Sequence, residues 1–107
     1  MFVLVDLATH PPVVSLEEAA DLKRFHVEVA GGTDRALVFG ALVDAAAGRL
    51  EGDDAWITID AVRRLAAAQA DPDWDRDFAA MLDYARGKGW LDDITHAIRA
   101  HIEWPDG

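Results

Sequence analysis

The spacing of the hydrophobic positions changes along the first third of the chain. Residues 2–7 form a short apolar run that predicts a buried strand, and the strand ends before Pro11-Pro12, which permits neither helix nor strand pairing. The capping box Ser15-Leu16-Glu17-Glu18 then predicts a helix, because the first and last side chains can reach each other's backbone amides. From residue 25 onward apolar and polar residues alternate, which predicts a second strand closed by Gly31-Gly32.

The next helix is predicted to begin at Thr33 and to end at Gly48. Its apolar residues recur at spacings of three and four, and Phe39 and Val43 widen the apolar surface until the helix is expected to be buried nearly all round. Gly40 in its middle weakens the helix by about 1 kcal/mol relative to Ala. We therefore expect another element to cross close to Gly40.

Two more helices and two more strands are predicted in the second half. The very short strand Ala55-Trp56-Ile57 leads to Thr58, the expected N-cap of the third helix. The fourth helix starts at Asp71-Pro72 and has one apolar face, formed by Trp74, Phe78, Met81, Leu82 and Ala85. Residues 94–104 alternate between apolar and polar, which predicts a long half-buried strand that stops at Pro105.

From residue 36 onward the predicted order is long helix, short strand, helix, turn, helix, glycine-rich corner and long strand. Trp56-Ile57-Thr58, residues 74–86 and Lys88-Gly89-Trp90-Leu91 carry this order, which over residues 36–104 resembles a winged helix-turn-helix domain. Residues 1–32 form a strand-helix-strand extension. We therefore predict a single α+β domain over residues 1–107 with four helices, a short-stranded sheet and a winged-helix-like part at residues 33–104.

The composition favours one compact, acidic domain. The chain has 107 residues, with 20 Asp and Glu against 10 Lys and Arg and a formal net charge of -10. It has no cysteine, which excludes a disulfide framework, a thiolate metal site and a cysteine nucleophile. With neither a signal-peptide pattern nor an apolar run of membrane-spanning length, we expect a cytoplasmic protein that makes no membrane contact. The preference for Arg over Lys is typical of a GC-rich bacterial genome.

The charge pattern disfavours nucleic acid as a partner. The resemblance implies that the helix at residues 72–86 would enter the DNA major groove. That helix carries more carboxylates, which repel phosphate, than cations: Asp73, Asp75, Asp77 and Asp83 against Arg76 and Arg86. Winged-helix domains that have lost DNA binding commonly serve as interaction or dimerisation modules, so the resemblance implies that role here.

Two strands carry the residues best suited to acid–base chemistry. His26 and Glu28 share one strand face, and Arg99, His101 and Glu103 share a face of the C-terminal strand. If these strands pair, the side chains form a cluster that could transfer protons. A solvated sheet face with cross-strand charge pairs gives the same pattern and is the simpler interpretation.

The sequence indicates no metal site and no cofactor site. Residues 71–77 begin like an EF-hand calcium loop, but Arg76 stands where the loop requires glycine and Leu82 where it requires a bidentate glutamate. We therefore assign no catalytic residue, no metal ligand and no cofactor.

The leading hypothesis is a non-enzymatic domain that binds protein and also associates with itself as a homodimer. An edge position expected for the C-terminal strand supports it, because an unpaired edge can pair with another chain. The candidate partner-binding residues are Trp90, Arg99, His101 and Trp104, since aromatic residues and Arg dominate interface energies.

Two alternatives remain at this point. One is a winged-helix transcriptional regulator that binds DNA through a set of cations, namely Arg63, Arg64, Arg76, Lys88 and Arg99. The other is a small-molecule enzyme that uses His26, Glu28 and His101 on the sheet face.

Overall fold

A computed structural model describes residues 1–69 and 71–105, which form one α+β domain. In chain order the elements are β1 (Phe2–Asp6), β2 (Val13–Glu17), β3 (His26–Ala30), α1 (Arg35–Asp44), β4 (Gly48–Glu51), β5 (Asp54–Thr58), α2 (Ile59–Ala66), α3 (Trp74–Gly87), β6 (Leu91–Asp92) and β7 (Ala97–Glu103). Residues 70, 106 and 107 of the predicted 1–107 domain lie outside the described residues.

The seven strands form one mixed sheet with the order β2-β1-β3-β7-β5-β4, and β6 also pairs with β7. β7 runs parallel to β3, with Glu28 opposite Glu103, and antiparallel to β5, with Ile57 opposite Ile98. Its first residues pair with β6, where Leu91 lies opposite Ile98. β7 is therefore a central strand, and the expectation of an exposed C-terminal edge is wrong because β3 and β5 occupy its two sides.

One face of the sheet forms the hydrophobic core with the helices. Alternate strand residues are buried on this face, as the period of two requires, including Val3, Val5, Val27, Val29, Ile57, Ile98 and Ile102. Val38 and Leu42 of α1, Val62 of α2 and Trp74 and Phe78 of α3 belong to the same buried cluster. The other residues of the same strands form the opposite face, here called the polar face, which is mostly polar but also carries Phe2, Leu4 and Trp56.

The prediction of four helices with a short-stranded sheet is wrong, because the chain has three helices and a seven-stranded sheet. The error lies at the capping box. Residues 13–17 form β2, in which Ser15 pairs with Leu4 and donates to the Glu17 carboxylate at 3.1 Å instead of capping a helix. Pairing with β1 satisfies the backbone and buries Leu16, and this gain exceeds the local preference for a helix.

The segment 18–25, expected to be helical, is a turn region held by side chains of the second half. Glu18 has a left-handed φ of 52° and ends β2. The Trp74 indole donates to the Ala19 carbonyl at 2.8 Å, and the Gln69 amide donates to the Leu16 carbonyl at 2.8 Å. These bonds supply partners for backbone groups that a helix would have paired internally.

Several local predictions in the second half are confirmed. Thr58 caps α2 by accepting from the Ala61 amide at 3.1 Å. The stripe on α3 faces the core, where Trp74, Phe78 and Ala85 are buried. Along β7, Ile98, Ala100 and Ile102 are buried as predicted, whereas Ile94 precedes the strand and is exposed. No helix among the described residues has both the length and the apolar character to cross a membrane.

α1 differs from its prediction on the side that faces away from the sheet. Only Val38, Ala41 and Leu42 of this helix are buried. A side chain added at Gly40 would meet no atom within 4 Å, so nothing in the described chain crosses the helix there. The apolar surface predicted from the sequence is real, but no part of the described chain covers it.

The turn after β3 provides a test of the fold. Gly31 has φ 80°, and an added Cβ would overlap the Ala8 backbone, whereas a Cβ on Gly32 would lie 3.5 Å from Leu7 Cδ1 in an ordinary contact. Gly31→Ala should lower the free energy of unfolding by about 2 kcal/mol or more, from steric strain and crowding. Gly32→Ala is the matched control and should change it much less. Urea unfolding measures both, and equal losses would contradict this description of the turn.

Candidate functional site

The polar face of the sheet carries a cluster formed by His26, Glu28 and Glu103. Because β3 and β7 pair as the sequence analysis required, Glu28 and Glu103 lie directly opposite each other. His26 Nε2 lies 2.9 Å from Glu28 Oε1 and 3.6 Å from Glu103 Oε2. The imidazole ring stacks on Phe2 with 5.1 Å between centroids, which restrains its position between the two carboxylates.

A second polar group is centred on Asp54 of β5. Arg99 contacts one of its carboxylate oxygens through Nε at 2.7 Å and through Nη2 at 2.6 Å, and His101 Nδ1 lies 3.6 Å from the other oxygen. The cluster expected from the sequence places Arg99 and His101 beside His26. In the structure both side chains pair instead with Asp54, for which the sequence predicts no role.

His26, Glu28 and Glu103 present one nitrogen and two carboxylate oxygens within 4.8 Å of one another. Such a donor set matches the ligand types of a transition-metal ion such as Zn²⁺. In the present structure the same atoms form a hydrogen-bonded cluster, in which the imidazole offsets the repulsion between two facing carboxylates. This second role accounts for the three side chains without an ion.

Two cavities open where the neighbour on one side of β7 changes from β6 to β3. The first, here called the apolar cleft, has a volume of about 360 Å³ and lies between the segment 22–25, the C-terminal half of α3 and the start of β7. The second, here called the polar shelf, has a volume of about 450 Å³ and is lined by Phe25, Asp54, Trp90, Arg99 and His101. Phe25, Trp90 and Arg99 line both cavities.

The corner after α3 places Trp90 between the two cavities. Gly89 adopts a left-handed φ of 79°, which turns the chain back so that the Trp90 amide donates to the Ala85 carbonyl at 2.9 Å. The Trp90 carbonyl accepts from the Arg99 amide at 2.8 Å, and its ring meets the edge of Tyr84 at 6.0 Å between centroids. Trp90 is thereby fixed to both α3 and β7.

Three of the four candidate partner-binding residues come together at these cavities. Trp90, Arg99 and His101 line the polar shelf, whereas Trp104 packs half-buried against the core cluster and lines neither cavity. Phe25 is expected from the sequence only as an apolar residue that faces the core. It packs against the core cluster and also lines both cavities, because it lies directly before β3.

Exposed apolar residues form another candidate surface on α1. Leu37, Phe39 and Val43 are 51%, 46% and 53% exposed, and Ala36 and Gly40 lie between them on the outward side of the helix. Large apolar side chains exposed on one side of a helix form a candidate interaction surface. This surface lies on an element that contributes no residue to the apolar cleft or the polar shelf.

Hydrogen bonds lower the pKa of Asp92, the last residue of β6. The largest contribution comes from the Thr95 hydroxyl, which donates to Oδ2 at 2.8 Å, and the next from the Ile94 amide, which donates to Oδ1 at 3.0 Å. Arg49 also donates to Oδ2 at 3.2 Å. The ionised carboxylate therefore holds the turn that follows β6 and joins it to Arg49 of β4.

The lowered pKa of Asp92 predicts a pH-dependent loss of stability. The unfolded chain takes up a proton on Asp92 more readily than the folded chain, so this contribution is present above the unfolded pKa and is lost as the pH falls through the folded pKa. Asp92→Asn should therefore unfold at lower urea concentration than the wild type near pH 7, and the two midpoints should converge below about pH 4.

The control for this measurement is Asp93→Asn, which makes the same change of net charge at an exposed neighbour that pairs with Arg86 at 3.4 Å. It should leave the urea midpoint nearly unchanged. A constant difference between Asp92→Asn and the wild type across the acid range would exclude an electrostatic role for Asp92.

Comparison with known proteins finds no matching family model, no matching curated protein and no matching solved structure. The resemblance to winged helix-turn-helix domains over residues 36–104 therefore stays a prediction.

Proposed function

We propose that the protein is a protein-interaction domain that forms a two-fold homodimer through α1. The observation that carries this proposal is the outward apolar surface of α1, whose residues Leu37, Phe39 and Val43 are each about half exposed. Exposure of three large apolar side chains on one short helix is costly in water and is relieved when a second molecule covers them.

The order of large and small residues along α1 fits a second copy of the same helix. In an antiparallel pair related by a two-fold axis between residues 39 and 40, Phe39 of one copy lies opposite Gly40 of the other, and Val43 lies opposite Ala36. Each large side chain therefore meets a small one, which allows the helices to approach closely. A two-fold interface must be self-complementary in this way, because the same surface supplies both sides.

The charges at the two ends of α1 obey the same two-fold relation. Arg35 is the first residue of the helix and Asp44 the last, so the antiparallel arrangement brings Arg35 of each copy to the same end of the helix pair as Asp44 of the other. The two side chains lie on opposite flanks there, because nine residues span about two and a half helical turns. Within the described residues, neither side chain has an ion-pair partner within 4.0 Å. Charge complementarity thus favours a second copy over an unrelated apolar partner.

The DNA-binding alternative has less support from the geometry. Arg63, Arg64, Arg76 and Arg99 each lie within 4.0 Å of a carboxylate, and Lys88 lies over the Tyr84 ring at 5.5 Å. A cation that is already paired with a carboxylate gains less free energy from binding a DNA phosphate, because the existing ion pair must be broken first.

The enzyme alternative required three side chains to converge in a concave site. His26 and Glu28 contact each other, but His101 pairs with Asp54. The cavity beside His101 is lined by neither His26 nor Glu28, so these groups do not surround a common space in which a substrate could bind.

The dimer interface can be tested with a charged residue at its centre. Phe39→Asp should weaken self-association by more than about tenfold, because a carboxylate would be buried opposite Gly40 of the other copy. Sedimentation equilibrium from about 1 µM to about 1 mM protein covers the range expected for a small interface. Ile94→Asp is the control, since Ile94 is 91% exposed on a different part of the molecule, and it should leave the association unchanged. A wild type that stays monomeric throughout would overturn the proposal.

A charge exchange tests the orientation of the two helices. Arg35→Glu and Asp44→Arg alone should each weaken the dimer about twofold, because each places like charges at both ends of the helix pair. The double variant R35E/D44R should recover the wild-type association constant, and an equimolar mixture of the two single variants should form heterodimers. Failure of both recoveries, with dimerisation still lost in Phe39→Asp, would exclude the antiparallel arrangement while leaving α1 as the interface.

A further inference from the structure

The apolar cleft lies where the neighbour on one side of β7 changes from β6 to β3. β7 pairs with β6 at Ala97 and Ile98 and with β3 only from Ile102 onward. Between these two points a gap separates the segment 22–25 from the end of α3. The gap opens from the core-facing side of the sheet, at Ile98, toward the polar face, at Arg99.

The walls of the cleft are apolar and rich in aromatic rings. Its lining combines the aliphatic side chains of Leu22, Met81 and Ile98 with the rings of Phe25, Tyr84 and Trp90. Tyr84 is 61% and Trp90 42% exposed, although both rings are held in place by their contact with each other. A cavity of about 360 Å³ is within the size range of small-molecule sites in proteins.

The charge at the cleft opposes that of the whole chain. Its lining includes the cations Lys23, Arg24 and Arg99 and no carboxylate, although acids outnumber bases by 20 to 10 in the sequence. Arg99 is neutralised from the polar shelf by Asp54. Lys23 and Arg24 are exposed at the rim, and Lys88 lies over the outer ring of Tyr84 at 5.5 Å. The residues that line the cleft therefore carry cations, whereas the chain as a whole is acidic.

We propose that the apolar cleft binds a small amphiphilic anion, an aryl or acyl molecule with a single carboxylate or similar acidic group. The apolar body lies between Phe25 and Trp90 and extends toward Ile98, where it replaces water against apolar side chains. The anionic group stays at the rim near Lys23 and Arg24. Electrostatic repulsion by the rest of the surface leaves this opening as the favourable approach for an anion, while the apolar walls select against small hydrophilic anions.

This site is separate from the α1 surface proposed for dimerisation. No residue of α1 lines the cleft, and the cleft requires no second copy. The two proposals can therefore fail independently.

A matched pair of fluorescent probes tests both parts of the inference. The anionic probe 8-anilinonaphthalene-1-sulfonate and its neutral analogue N-phenyl-1-naphthylamine share the same two aromatic groups and differ in the sulfonate. Titration of the wild type should show saturable fluorescence enhancement with both, with the anionic probe bound about fivefold more tightly. That preference should disappear between about 50 mM and about 1 M salt. Equal affinities at low salt would overturn the assignment of an anionic ligand.

Variants at the rim locate the binding. K23Q/R24Q should lower the affinity for the anionic probe to that for the neutral one and leave the neutral probe unaffected. The control R63Q/R76Q makes the same change of net charge at residues that do not line the cleft, and it should preserve the preference. An equal loss in both double variants would mean that net charge alone attracts the probe, and this would overturn the site.

Two further measurements distinguish the cleft from the α1 surface. Phe39→Asp should retain the probe fluorescence even where it abolishes dimerisation, whereas loss of the fluorescence would assign the probe to α1. In a ¹H–¹⁵N spectrum, the anionic probe should shift the Trp90 indole and Arg99 amide signals, with the Trp90 indole identified by its absence in Trp90→Phe. If the probe shifts other signals but neither the Trp90 indole nor the Arg99 amide signal, it binds elsewhere and the proposal is rejected.

Discussion

The fold depends on the pairing of β7 with strands from both halves of the chain. β7 joins β3 of the N-terminal half to β5 of the central hairpin, and it also pairs with β6. Without these pairings, β1, β2 and β3 would form one small sheet and β4 and β5 another, and neither small unit would bury enough apolar surface to be stable alone. The alternation of β7 also decides which side of the combined sheet packs against the helices, because Ile98, Ala100 and Ile102 all face the core.

The change of neighbour along β7 also determines which charged side chains meet on the surface of the sheet. Where β3 joins β7, the parallel register places Glu28 opposite Glu103, and His26 lies close to both. Where β3 is absent, Arg99 turns to Asp54 on the other neighbour, and the cleft opens between Phe25 and Trp90. The polar cluster and the cleft therefore both arise where the neighbour of β7 changes. The strand register places the carboxylates in the cluster and the cations at the cleft.

The sequence predicts elements well where local interactions decide them. The cap at Thr58 and the apolar stripe of α3 depend on residues a few positions apart, and both are confirmed. The helix predicted at Ser15 fails because strand pairing with β1 and hydrogen bonds from Gln69 and Trp74, more than 50 residues away, outweigh a local capping box. The candidate site is predicted in part for the same reason. Trp90, Arg99 and His101 are close in sequence, whereas Phe25 and Asp54 reach them only through the sheet.

Gly40 shows a different limit of inference from sequence. A glycine within an apolar helix indicates that a close contact compensates for its low helix propensity, and the pattern of α1 supports this interpretation. The described chain nevertheless leaves the position open. Apolar periodicity predicts that one face of a helix packs against another surface. It does not predict whether that other surface belongs to the same chain or to a second molecule. The proposal of a second copy rests on the order of large and small residues about positions 39 and 40 and on the opposite charges at the two ends of α1, since a two-fold interface must complement itself.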